Sequence, residues 1–189
     1  MSQLSKREQI IDVALDLFYK DGFNATGVEK IRETANVSKK TLYNHFKSKD
    51  ELILTALRRR DEQFRNDFMR GVESIGKTPR ERLEAVFDAA DGWFNSKGFC
   101  GCMFINASAE FTDADNPCHV VAAEHMRLML DYIVDLAEKA EAKDPKELAG
   151  QLFLLIEGAI VQAHVSGDKA AAMKAKKMAM VFIESALTS

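Results

Sequence analysis

Apolar positions recur along this chain at helical rather than strand spacing, in segments of about 10 to 25 residues separated by short polar breaks. The breaks carry helix-start chemistry. Ser5-x-x-Glu8, Thr26-x-x-Glu29, Ser48-x-x-Glu51, Thr78-Pro79-x-Glu81, Asn116-Pro117 and Asp144-Pro145-x-Glu147 each combine an N-cap side chain with an acid three residues on, a proline in the first turn, or both. All three prolines of the chain fall at such starts. No run alternates β-branched and polar residues, and there is no internal repeat or low-complexity linker. The pattern predicts an all-α fold.

The most informative stretch is residues 26–51, which reads as two short helices around a tight turn. Thr26 and Glu29 form a capping box that opens the first helix, with Val28, Ile31 and Ala35 on one apolar face. Asn36 stops it, because Asn tolerates the left-handed conformation of a sharp reversal, and Ser38 caps the helix that follows over residues 39–46. On that second helix Leu42 and Phe46, four apart, face inward. Lys39, Lys40, Thr41, Tyr43, Asn44 and His45 spread over the remaining surface as donors and stackers suited to phosphates and base edges.

The run Ala35 to Leu52, Ala-Asn-Val-Ser-Lys-Lys-Thr-Leu-Tyr-Asn-His-Phe-Lys-Ser-Lys-Asp-Glu-Leu, resembles the recognition-helix segment of the TetR family of bacterial transcriptional regulators. The likeness extends upstream over residues 10–23, an amphipathic helix ending in Gly22-Phe23, and so covers about the first third of the chain. Two positions depart from the family pattern: Asn36 replaces the Gly usual at the turn, and Lys40 the Gly usual at the start of the recognition helix. The first is a change the backbone should tolerate. The second puts a long cation where it can add a phosphate contact or read a guanine. The resemblance implies a three-helix helix-turn-helix DNA-binding domain at 1–50 joined to an effector-binding and dimerisation domain at 51–189. A helix over residues 49 to about 71 would connect them and carry ligand-induced movement to the recognition helix. It also implies operator DNA as partner, with Thr26, Lys39, Thr41, Tyr43, His45 and Lys49 anchoring phosphates and Lys40 and Asn44 reading bases.

Charge is divided accordingly. Residues 1–60 hold 12 Lys/Arg against 8 Asp/Glu, net +4, whereas residues 61–189 hold 14 against 21, net −7, for a total of −3. An acidic total therefore does not exclude DNA binding, since the field that matters is local and screened over about 8 Å at physiological salt. Arg58, Arg59 and Arg60 are consecutive and wind around a helix, so they are assigned to its solvated faces and not to one duplex.

At 189 residues and 47% hydrophobic content, the chain can build the small DNA-binding domain plus one substantial helical core. No uninterrupted apolar run reaches the roughly 18 residues of a membrane span, and Met1 to Glu8 is polar, so no membrane association and a cytoplasmic location are expected. Three cysteines, two of them in Cys100-Gly101-Cys102, make no secreted-type disulfide framework.

Past residue 60 the chain is rich in aromatic and Met side chains. Any one of them reads first as ordinary core. Taken with the family resemblance, they imply a mainly apolar pocket for a small-molecule effector, for which Phe64, Phe68, Trp93, Phe94, Cys102, Met103, Phe104, Asn106, Phe111, His125 and Met129 are candidates, with Glu110 and Glu157 as further polar groups. The segment 99–111 also resembles a Gly-Cys-centred stretch of family members, some of which sense electrophiles or oxidants there. Cys102 should lie near a helix N-terminus, which favours thiolate, but no cation stands beside it in sequence, so a small packing residue is the first reading and a thiol sensor the alternative. A metal site from Cys100, Cys102, Cys118 and His119 has poor spacing, and no metal or cofactor is expected.

The last two apolar segments, 145–165 and 169–187, carry broad stripes interrupted by Gly150, Gly158 and Ala163. They either fold back on their own domain or, as the resemblance implies, pair with a second copy as a four-helix dimer interface. An enzyme using Glu110, His119 and His125 around Cys102 lacks a nucleophile–base spacing, a phosphate-cradling loop or a dinucleotide fingerprint. A helical interaction protein without DNA binding is the third class. The reading is a homodimeric repressor released from its operator by an effector, and not an enzyme.

Overall fold

The computed structural model describes residues 5–187, and these contain nine α-helices and no strand. They are α1 (Lys6–Asp21), α2 (Val28–Thr34), α3 (Lys39–His45), α4 (Lys49–Ile75), α5 (Pro79–Phe94), α6 (Met103–Glu110), α7 (Pro117–Lys139), α8 (Pro145–Val165) and α9 (Ala171–Leu187). The caps explain most boundaries. Ser5, Ser38, Ser48, Thr78 and Asp144 each accept the backbone N–H three residues on, and at Thr78 the reciprocal bond from Glu81 completes a capping box. α4 runs past Gly71, which weakens a helix without stopping it, and ends at Gly76, whose N–H bonds to the Val72 carbonyl. α9 begins two residues later than expected, because Asp168 turns back to accept the Ala170 N–H and the Lys174 ammonium.

One expected cap does not form. Thr26 is fully buried, and its hydroxyl donates to the carbonyls of Gly22 (2.7 Å) and Leu17 (3.4 Å); the N-cap of α2 is Gly27, with no side-chain bond. Backbone carbonyls at the end of α1 out-compete the start of α2 for that hydroxyl. Asn36, by contrast, adopts the left-handed conformation (φ 49°) expected of the turn.

The chain forms two compact units, residues 1–63 with 103–125, and residues 64–102 with 126–189. The first unit is built on α1, α2 and α3, with Ile10, Ile11, Ala14, Phe18, Phe23, Ile31, Ala35, Leu42 and Phe46 in its core. In the second, α9 lies against α5 and α8 through Ala171, Ala172, Ala175, Ala179 and Ile183, the alanines allowing close approach. Lys176 donates to both carboxylate oxygens of Asp88 (2.7 and 2.6 Å) across that contact.

Among the described residues one helix, α8, is long and apolar enough by composition to cross a membrane, with mean hydropathy 1.5 in its most apolar window, though Gln151, Glu157 and Gln162 interrupt it. One face packs inward through Leu148, Leu152, Ile156 and Ala159. Glu157 is half-buried, and burial alone pushes its carboxyl up to about 7 from the ordinary 4.5. The folded chain therefore binds a proton between pH 4.5 and 7 that the unfolded chain does not, so this contribution to stability is present at low pH and is lost as pH rises through about 7. Glu157→Gln should flatten the melting temperature between pH 5.5 and 8 and stabilise the protein at pH 8 by roughly 2 kcal/mol. Unchanged pH dependence of thermal unfolding in that variant would contradict the assignment.

Candidate nucleic-acid interface

The first unit presents α3 as the sequence suggests. Leu42 and Phe46 are buried, and Lys39, Lys40, Tyr43, Asn44 and His45 are exposed, Tyr43 at 44%. The Arg7 guanidinium lies over the Phe46 ring, 5.3 Å from its centre. The adjacent lysines differ in surroundings. Lys39 pairs with Glu29 (3.3 Å), which Arg32 also holds (2.8 Å), and the two cations keep the Glu29 carboxyl below its ordinary value. Lys40 is exposed to solvent. Thr41 is half-buried, its hydroxyl 2.8 Å from that of Ser38.

Two candidates make bonds within the fold. Thr26, buried and bonded as described, leaves the set of side chains available to a phosphate. Lys49 is half-buried and donates to the Asn24 carbonyl (3.3 Å), so the first residue of α4 ties down the loop between α1 and α2. The arginine run divides as its helical winding requires: Arg58 is exposed, Arg59 pairs with Glu8 and Asp12 of α1, and Arg60 lies over Tyr19.

The effector candidates fall in both units. In the second, Phe64, Phe68, Trp93 and Phe94 form one aromatic cluster with Phe99, the Phe64–Trp93 and Trp93–Phe99 centroids 4.8 and 5.2 Å apart in edge-to-face contact. Lys169 closes it, its ammonium 4.5 Å above Phe99 and bonded to the Phe94 carbonyl. Cys102 and Met129 are buried. In the first unit Met103 and Phe104 are buried and Asn106 half-buried. His125 is bonded through Nδ1 to Asp61 (2.8 Å) and stacked on Phe104, and Phe111 meets Phe23 at 5.6 Å.

Gly101 separates the paired cysteines at φ 81°, and the His164 ring lies so close that an added Cβ would stand 2.4 Å from its Nδ1. Gly101→Ala should cost about 2 kcal/mol or more through strain and overlap; a wild-type melting temperature in that variant would show the ring moves aside freely. Cys118 lines a cleft of about 430 Å³ with Asp50, Glu51, Leu54, Phe111, Asn116 and Pro117. Burial, and then the Asp50 charge, push its thiol up to about 11, which leaves it unreactive at neutral pH. The three groups considered for an enzyme are otherwise engaged: Glu110 with backbone N–H groups, His119 with the Phe111 carbonyl, His125 with Asp61.

Residues 10–56 match the family model for bacterial regulatory proteins of the tetR family, and residues 79–179 that for the tetracyclin repressor-like C-terminal domain. The chain belongs to the TetR family. A TetR transcriptional regulator of Streptomyces avermitilis, whose crystal structure is known, is 30% identical, with 98% of this chain and 100% of that one covered at a TM-score of 0.86. A TetR-family transcriptional regulator from Streptomyces coelicolor shares the fold at a TM-score of 0.89 and 24% identity, covering 97% and 96% of the two chains. The HTH-type transcriptional regulator YjdC of Escherichia coli K12 is 25% identical over 176 residues, 92% of this chain and 91% of its own. As a TetR-family member the chain is a transcriptional regulator with an N-terminal helix-turn-helix domain, and not an enzyme. What the sequence did not reveal is how α6 meets that domain, because Glu110 lies 86 and 87 residues from the N–H groups it accepts and no local spacing announces a contact of that range.

Proposed function

We propose that this TetR-family regulator is a cytoplasmic homodimeric repressor that binds a pseudo-palindromic operator through α3 and leaves it when an effector binds. The observation that carries the reading is the two-faced α3: Leu42 and Phe46 in the core, and Lys39, Lys40, Tyr43, Asn44 and His45 outward with no packing task to explain them. Lys40 and Asn44 read base edges, and Lys39, Tyr43 and His45, with Thr41, hold phosphates. Residues 1–50 act as the DNA-binding domain and residues 51–189 as the effector-binding and dimerisation domain, α4 beginning at the boundary. The effector is a small apolar or aromatic molecule, for which the Phe64, Phe68, Trp93, Phe94 and Phe99 cluster offers stacking surface.

Dimerisation is proposed through α8 and α9. Along α8 the less buried positions Gln151, Leu154, Gly158, Val161 and Val165 succeed one another at steps of three and four, the spacing of a helix seam, with Leu154 75% and Val165 77% exposed. Gly158 has open space where a Cβ would project, room for a partner helix to approach. On α9 Met178 and Val181 continue the apolar face. A second copy covering this surface accounts for a helix that reads on composition as membrane-spanning.

Fluorescence anisotropy with labelled duplex from the region flanking its own gene, competed with scrambled duplex at physiological salt, tests the reading. Specific binding supports it, and equal affinity for both duplexes contradicts it. A thiol oxidant should leave specific binding unchanged because Cys102 is buried; release by oxidant would favour the alternative, a sensor acting through Cys102.

A further inference from the structure

Glu110 is the last residue of α6, and its two carboxylate oxygens are both spent on the corner between α1 and α2. Oε1 accepts the backbone N–H of Phe23 (2.9 Å) and Oε2 that of Asn24 (2.7 Å). Consecutive N–H groups matched by the two oxygens of one carboxylate make a fixed, charge-assisted grip. The preceding residue, Gly22 at φ 86°, permits it: a Cβ there would stand 3.0 Å from Oε1. The neighbouring Phe111 adds a ring contact to Phe23.

The helix-turn-helix does not need this grip to close its own corner. Thr26 already bonds back to Gly22 and Leu17, Phe18 lies 5.4 Å from Phe23, and Ile10, Ile31 and Leu42 supply the core from within residues 5–46. Glu110 brings in a distant segment, and it converges with Lys49 on one residue. The N–H of Asn24 is held by the end of α6 and its carbonyl by the first residue of α4.

We propose that Glu110 is a positioning residue for DNA binding: its carboxylate couples α6 to the α1–α2 corner, so that displacement of α6 moves the helix-turn-helix and operator binding is felt in α6. The proposal rests on the regulator reading above and names the contact through which the regulation is transmitted. Coupling between two sites is reciprocal, so it can be read from the DNA side without knowing the effector.

The test is hydrogen exchange on the full-length protein and its Glu110→Gln variant, free and saturated with an operator duplex selected by the wild-type protein from a random pool. Gln keeps one acceptor oxygen but turns an NH2 toward the other N–H, breaking the matched pair. In the free variant, exchange at Phe23 and Asn24 should rise at least tenfold while α8 stays protected as in wild type. On operator binding, wild-type residues 103–111 should become at least threefold slower to exchange, and the variant's should not. Were Glu110→Gln to fold poorly, Glu110→Asp, one methylene short, serves in its place with the same expectations at Phe23 and Asn24. Unchanged exchange at those two amides, or an operator effect on α6 that survives the substitution, overturns the proposal. A wild-type protein that selects no duplex overturns the function reading instead, and the free-protein comparison still decides whether the grip exists.

Discussion

Replacing both Lys40 and Tyr43 by alanine is expected to abolish specific operator binding while leaving the fold and the dimer intact. Both side chains are exposed on α3, and the residues that hold this helix in the core, Leu42 and Phe46, are untouched. Lys40 is exposed, so its charge can meet a guanine or a phosphate, and Tyr43 offers a hydroxyl to a phosphate. Each lost contact of this kind is worth about 1–3 kcal/mol, and a dimer loses two of each, so operator affinity should fall at least about a thousandfold. Lys39→Ala should act differently, weakening all sequences alike, because a phosphate contact carries no sequence information. Anisotropy against operator and scrambled duplex, with sedimentation to verify the dimer, separates the two. If the double variant kept specific binding, α3 would not be the recognition helix.

The two-faced α3 was legible in the sequence because its determinants are local. Caps, a left-handed Asn and the spacing of Leu42 and Phe46 are all read within a window of about ten residues, the range over which helical periodicity operates. The same locality misled at Thr26. A capping box was visible in the spelling, but the Thr26 hydroxyl found carbonyls at the end of the preceding helix, a competition that only the folded corner decides. At Lys49 local spelling shows the helix start but not the bond its ammonium makes to the Asn24 carbonyl 25 residues away. The aromatic candidates were legible as a class and not as a site. Phe64, Trp93 and Phe94 do meet, but they are joined by Phe99 and Lys169, whereas Phe111 and His125 found Phe23 and Asp61 in the other unit. Apolar spacing specifies which face is buried and says nothing of what buries it.

Introducing charge on the outer face of α8 should have the second large effect. Leu154→Glu together with Val161→Glu leaves the inner face, Leu148, Leu152 and Ile156, unchanged, and both sites are already exposed in the single chain, so the protomer should fold normally. In a twofold interface each substitution appears twice, placing four carboxylates in an apolar seam without partners. Burying an unpaired charge costs several kcal/mol, and ionised groups of one sign repel, so dimerisation should weaken by about three orders of magnitude or more. Operator affinity should collapse with it, because a lone recognition helix makes too few contacts for tight binding and the second half-site no longer comes tethered to the first. Sedimentation equilibrium and circular dichroism check both halves: a helical monomer is expected, and a variant that remains a dimer would place the interface elsewhere.

The central claim, a dimer reading DNA through paired α3 helices, is tested most directly by selecting binding sites for the wild-type protein from a random duplex pool and weighing the complex on the winning sequence. The account predicts an inverted repeat whose half-sites lie about one helical turn, or a multiple of it, apart, with two or more protomers per duplex in even number. A selected site without dyad symmetry bound by a single protomer, or a pool that is not enriched at all, would contradict it.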